Sequence, residues 1–151
     1  MRILFISDIH GVPSTLSAAL EQGERLGYDR LVLLGDLMYH GPRNGVPDFY
    51  DTAKVADILN AHKDKILAVR GNCDSEVDQL LLEFPMMSDY AELDADGERF
   101  FLTHGHTHVA EKKKLFCGIT IFNPGSISLP KGGQGRTFGY WDGHDLYHYP
   151  I

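Results

Sequence analysis

Three apolar runs, each closing on a polar residue, constrain this chain most. They are "RILFIS" before Asp8, "RLVLLG" before Asp36 and "KILAVRG" before Asn72. Consecutive apolar positions over such a length mark a strand buried on both faces. Helical patterns lie between them. Pro13 is followed by Leu16, Ala19 and Leu20 at helical spacing, with Gly27 as a stop signal. Val55, Ile58 and Leu59 mark a second helix, and Val77, Leu80 and Leu81 a shorter third that ends before Pro85. The β-α-β-α-β order predicts a parallel sheet with covering helices, hence an α/β fold. The second half changes character. "ERFFLTH", "KLFCGITIF", "RTFGYWDG" and "DLYHYPI" read as strands joined by Gly-containing turns. With 151 residues and no repeat or linker, the length 1–151 reads as one domain.

The polar residues that close the strands fall at one predicted edge of the sheet: Asp8 and His10, then Asp36, then Asn72. Ligands of open α/β sheets bind outside that edge. Asp8 and His10 are two apart, so on an extended chain they point the same way. Gly35 and Gly71 precede Asp36 and Asn72, and a missing side chain lets the backbone come close to a bound ion. The segment "FLTHGHTHVAEK" adds His104, His106 and His108 at alternate positions. Two carboxylates, one amide oxygen and up to four imidazoles suit Mn, Fe, Zn or a similar borderline metal rather than calcium. Any one of these residues alone reads as a turn former or a surface group. The order and shared placement make them a set.

Composition narrows the function further. A net charge of −7 argues against an extended nucleic-acid footprint. No apolar run approaches twenty residues, so no membrane span is expected. The opening "MRILFISDIHG" lacks the small-residue cleavage site of a secretory signal and reads as a strand. Two cysteines, Cys73 and Cys117, are too few for a disulfide framework, and a cytoplasmic location is expected.

The D-x-H of Asp8 to His10, "GD" at Asp36, "GN" at Asn72 and "GHTH" ending at His108 resemble the calcineurin-like metallophosphoesterases. "HGPRN" from His40, "RGNCDSEVDQ" from Arg70, "FNPGSIS" from Phe122 and "PKGG" from Pro130 narrow the resemblance to the small bacterial phosphodiesterases of the YfcE type. It covers nearly the whole chain. It implies an αββα sandwich, mixed sheets flanked by helices, with two divalent metal ions at the strand ends. By the same resemblance, Asp8, His10 and His108 hold the first ion and Asn72, His104 and His106 the second, with Asp36 bridging. The implied activity is hydrolysis of small phosphate esters by a metal-bridging hydroxide, with Asp36, Asn72 and His104 as catalytic residues and Mn²⁺ as the metal. Arg43 is a candidate phosphate clamp, since a guanidinium offers paired donors, and His40 a candidate to line the site. The alternative is a non-catalytic protein-binding module, as the same fold serves in the retromer coat.

Two departures from the family pattern stand out. Cys73 occupies a position where many relatives carry the histidine that protonates the leaving group. A preference for esters with good leaving groups, such as aryl phosphodiesters, is therefore expected. Secondly, "LTHG" and "GHTH" lie in the family at the ends of different strands, with a structured connection between them. Here they fuse as "LTHGHTH". A parallel crossover of roughly a dozen residues does not fit between His104 and His106. Three readings follow: a true deletion that damages the second metal site, one continuous strand carrying all three histidines, or a segment missing where two flanks are joined in the numbering. The last is the expectation, and a chain break near 104–109 is its sign.

Elsewhere the expectations are plain. "EKKK" at 111–114 reads as a solvated turn, and His62, His144 and His148 as surface or packing residues. Phe138, Tyr140 and Trp141 suit a strand, with a subunit contact in a homo-oligomer as the second reading, since aromatics are enriched at interfaces.

Overall fold

The structure, a computed structural model, describes residues 1–151. The three apolar runs form strands β1 (Ile3–Ile6), β2 (Arg30–Leu33) and β3 (Ile66–Ala68). β1 pairs with β2 and β2 with β3, both in parallel. Helix α1 (Pro13–Leu26) follows β1, with proline in its first turn and the Gly27 N–H closing its end on Gly23 O at 2.8 Å. Helix α2 (Thr52–Asn60) precedes β3 and is capped by Asp51, whose carboxylate accepts from Lys54 N. A 3₁₀ turn at Lys63–Lys65 leads into β3.

β8 (Thr137–Trp141) and β9 (Leu146–Pro150) extend the same sheet on the other side of β1, both antiparallel. The sheet order is β3-β2-β1-β8-β9. The two-residue alternation of each strand divides its side chains between two apolar clusters. Leu4, Ile6, Leu31 and Leu33 pack with Leu16 and Ala19 of α1 and with Val55 and Leu59 of α2. Ile3, Phe5, Val32 and Leu34 face the opposite way and pack with Ala95, Leu102 and Trp141. Full burial of each such side chain contributes roughly 1.5–3 kcal/mol, so the sheet is anchored on both faces. On the second face lies the hairpin β4 (Ala91–Ala95) and β5 (Glu98–Leu102), followed by the hairpin β6 (Glu111–Lys114) and β7 (Thr120–Asn123). Two sheet layers with helices on the outer face of the first agree with the mixed α/β architecture that the resemblance implies. No helix follows α3 (Glu76–Gln79), and no helix is long and apolar enough to cross a membrane.

Several expectations are corrected. "KLFCGITIF" is not one strand but the last residue of one hairpin arm, a turn and the second arm. "EKKK" is not a turn but the first arm, β6, solvent-exposed throughout. Cross-strand pairing overrides the weak strand propensity of lysine here. α3 is only four residues long, and Ser75 N donates to Asp78 as in a capping box. Val77, Leu80 and Leu81 are exposed there, so their helical spacing marks no buried face. Phe138, Tyr140 and Trp141 are buried inside the chain, which withdraws them as a subunit contact. Residues 103–110 form an irregular loop with Thr107 N bonded to Gly105 O, so the three histidines do not lie along one strand.

Candidate metal centre

The carboxyl ends of β1 and β2 bend sharply where the apolar runs stop. Asp8, His10 and Asp36 all sit at positive φ, between 48° and 57°, and His106 and His108 do so in their loop. The left-handed region is disfavoured for residues with a Cβ. Here backbone bonds hold it: Asp8 N to Gly35 O at 3.1 Å, and His10 N to Asp36 O at 3.0 Å. The glycines serve this packing rather than an ion. A Cβ on Gly35 would lie 2.2 Å from Gly71 N, and one on Gly71 would lie 2.1 Å from Asp36 Oδ1. Two loops meet there backbone to backbone, and only glycine allows it.

Asp8, His10, Asp36 and His108 are buried with their ligand atoms all within 4.8 Å of one another. Asp8 Oδ1 is 3.5 Å from His10 Nε2 and 3.2 Å from His108 Nε2. Asp36 Oδ2 lies 3.8 Å from His10 Nε2 and 3.6 Å from His104 Nε2. It therefore stands between the group around Asp8 and a second group. In that group Asn72 Oδ1 lies 3.1 Å from His104 Nε2 and 2.6 Å from His106 Nδ1. All seven residues thus converge, and the short connection between His104 and His106 keeps both beside Asn72.

The hydrogen-bond pattern tests whether a cation fits. His10, His104 and His108 each direct Nδ1 at a backbone carbonyl: Tyr39 O at 2.7 Å, Leu34 O at 2.6 Å and Leu129 O at 2.7 Å. That bond fixes the tautomer with the proton on Nδ1 and leaves Nε2 with a free lone pair, the orientation usual for a metal ligand. Asp8 Oδ1, His10 Nε2 and Asp36 Oδ2 are buried and have no hydrogen-bond partner. Buried polar atoms are nearly always satisfied. Three orphaned acceptors converging on one point are what a bound cation satisfies.

The electrostatics agree. Burial raises the Asp8 pKa, but the adjacent His10 imidazole and the charges of His108 and His104 outweigh it, so the carboxyl stays below its ordinary value. Burial lowers His10, yet Asp8, the Tyr39 carbonyl and Asp36 together hold it above the usual imidazole value. His108 is lowered, chiefly by burial, against the pull of Asp8. The Cys73 thiol is pushed up to about 12 by burial and then by the charge of Asp36, which leaves it protonated at neutral pH.

One structural residue escapes a search for ligands. Asp74 is buried and accepts from Asp36 N, Leu37 N and Gly71 N at 2.7–2.8 Å. It ties the loop after β2 to the loop after β3. The signal in sequence is a carboxylate two residues past Asn72. Ser126 acts similarly, donating to Asp8 O and accepting from Leu129 N. The two substrate candidates stand outside the cluster. Arg43 is exposed on a turn, and His40 is half-buried with Nδ1 3.2 Å from Asn44 O, beside Tyr39 and Tyr50.

Comparison with known proteins follows the geometry. The calcineurin-like phosphoesterase family model matches residues 1–143. The phosphodiesterase YfcE of Escherichia coli K12 is 43% identical, with 94% of this chain and 88% of that protein covered. That alignment spans 164 positions, more than the 151 residues here, so the relative carries residues with no counterpart in this chain. The solved structure of that E. coli phosphoesterase superposes with a TM-score of 0.89 at 41% identity, covering 93% of this chain and 87% of that one. An archaeal phosphodiesterase superposes with a TM-score of 0.73 over the full length of both chains, at 18% identity, and shares the fold.

Proposed function

This chain belongs to the calcineurin-like phosphoesterase family, and from that premise we infer that it is a metal-dependent phosphodiesterase acting on small phosphate esters. The observation that carries the reading is the trio of buried, unpartnered atoms Asp8 Oδ1, His10 Nε2 and Asp36 Oδ2. A metal-dependent hydrolase needs such atoms, and the binding-module reading is not favoured.

Asp8, His10 and His108 would hold one ion, Asn72, His104 and His106 a second, and the Asp36 carboxylate would be shared. The position of Asp36 between His10 and His104 supports the shared role. Divalent cations bound there would neutralise the phosphoryl oxygens and lower the pKa of water. Mn²⁺ suits the mixed oxygen and nitrogen donors. The residues themselves preorganise the site. The Nδ1 bonds lock three imidazoles, and Asp74 and the paired glycines fix Asp36. Asn72 and His104, at the more open side of the cluster, would border the ester. Arg43, exposed on the turn after His40, would be the residue to pair with a phosphate oxygen. Two unpaired cysteines support a cytoplasmic setting.

A thiol whose pKa is about 12 gives up its proton poorly in the neutral range, so Cys73 is a weak acid for the leaving oxygen. Aryl diesters, whose leaving groups need little protonation, should turn over faster than alkyl diesters. The experiment is hydrolysis of bis(p-nitrophenyl) phosphate and of an alkyl diester, with and without Mn²⁺. Metal-dependent turnover favouring the aryl ester by at least tenfold is expected. Absence of turnover with Mn²⁺ would remove the enzyme reading, and equal rates on the two esters would remove the account of Cys73.

A further inference from the structure

One buried hydroxyl joins two of the residues at the candidate metal centre. Ser126 is fully buried in the segment between β7 and β8. Its Oγ donates to Asp8 O at 3.1 Å and accepts from Leu129 N at 2.9 Å and Ser128 N at 3.3 Å. Leu129 O in turn accepts from His108 Nδ1 at 2.7 Å. A single side chain thus links the backbone of Asp8 to the imidazole of His108. The atoms that these two residues turn to the centre, Asp8 Oδ1 and His108 Nε2, lie 3.2 Å apart.

The segment that carries the hydroxyl is pinned on two sides. Gly125 has φ 82°, and a Cβ there would lie 2.3 Å from Thr137 Oγ1. Thr137 Oγ1 donates to Pro124 O at 2.7 Å, and Thr137 N donates to Ser126 O at 3.3 Å. On the other side Ile127 N donates to Ser7 O at 3.3 Å. The segment therefore bridges the start of β8 and the end of β1. The second group has other anchors: His104 Nδ1 bonds Leu34 O, and His106 Nδ1 lies 2.6 Å from Asn72 Oδ1.

We propose that Ser126 is a positioning residue for one ion only. Its hydroxyl fixes Asp8 relative to His108, and so sets the affinity of the group Asp8, His10 and His108. The group Asn72, His104 and His106 does not depend on it. The inference rests on the two-ion reading given above. Hydrogen bonds behind metal ligands orient them, and losing one typically costs about 10–100-fold in metal affinity.

The experiment is calorimetric titration of the metal-stripped chain with Mn²⁺, in two backgrounds. His106→Ala leaves the first group intact, and Asp8→Ala leaves the second. Ser126→Ala should weaken binding by about tenfold or more in the His106→Ala background and leave it unchanged in the Asp8→Ala background. The visible absorption of Co²⁺ bound in the His106→Ala background should shift as well, because ligand geometry sets it. Ser126→Cys, a weaker hydrogen-bonding group in the same place, should show a smaller loss in the same background and carries the test if the alanine variant does not fold. Thr15→Val is the control for loosening of the region. It removes a buried hydroxyl bonded to Ser128 Oγ at 2.7 Å and Val12 O at 3.1 Å, and should leave Mn²⁺ affinity unchanged. Equal losses in both backgrounds would overturn the proposal, as would a loss with Thr15→Val as large as with Ser126→Ala. Metal binding that ignores Ser126 would overturn this inference alone. No metal binding by the unaltered chain would remove the two-ion reading and the inference with it.

Discussion

Asp8, His10, Asp36, His106 and His108 hold a left-handed backbone, a conformation that costs of order 1 kcal/mol or more at each residue with a Cβ. They do so because the surrounding loops leave no other conformation available. Asp74 is central to that restraint. Its carboxylate accepts three backbone N–H groups, those of Asp36, Leu37 and Gly71. Burial nevertheless raises its pKa, with the three N–H bonds working against the shift. Removing the acceptor leaves buried donors unmet, which costs roughly 1–3 kcal/mol for each group so stranded. Asp74→Ala should therefore lose roughly 2–4 kcal/mol in urea denaturation and weaken divalent-metal binding by calorimetric titration. Asp74→Asn, which keeps one acceptor oxygen, should lose less. Unchanged metal affinity in the alanine variant would show that Asp36 needs no such support. Asp8, Asp36, Asn72 and the histidines were legible as letters at strand ends. Asp74 was not read as one of them, because its place two residues past Asn72 marks a carboxylate but does not show that it binds backbone from two distant loops.

At the scale of elements, the apolar periodicity of the first half predicted β1 to β3, α1 and α2 well, since each of those patterns is set by burial. The same rule failed for α3. Val77, Leu80 and Leu81 have helical spacing yet are 67%, 84% and 50% exposed. A pattern of apolar residues identifies a face that could be buried. Whether another element lies over that face is a tertiary fact. The contrast is measurable. Leu33→Ala, at a fully buried position in β2, should destabilise the fold by roughly 2–5 kcal/mol through lost burial and a cavity. Leu80→Ala should stay within about 0.5 kcal/mol. Equal losses at the two positions in chemical denaturation would mean that α3 packs against something. The β6–β7 hairpin failed the reading in the opposite sense. Its "EKKK" arm has no apolar pattern, and only the backbone ladder to Thr120–Asn123 makes it a strand.

At the scale of the whole molecule, the metal centre couples the two halves of the chain. Asp8, His10, Asp36 and Asn72 come from the parallel half, and His104, His106 and His108 from the loop between the hairpins. A cation that bridges them should stabilise the entire fold, by about 2.7 kcal/mol at a hundredfold excess over its dissociation constant. Proton and metal compete for His10 Nε2. The His10 pKa lies above the ordinary imidazole value, so the competing proton is bound below that raised pKa and released above it. Mn²⁺ affinity should therefore be highest on the alkaline side and fall by up to about tenfold per pH unit as pH drops through and below it. Titrations from pH 5.5 to 8.5 would check this, and a flat affinity over that range would exclude His10 as a ligand. Taken alone, the sequence determined the strands and helices of the first half, the family and the identity of seven convergent side chains, because burial and strand-end chemistry leave a local, periodic trace. Only the tertiary structure decided that the fused histidine loop still reaches Asn72 and that Asp74 ties the loops together. Those outcomes depend on distances between segments remote in sequence, which no spacing along the chain records.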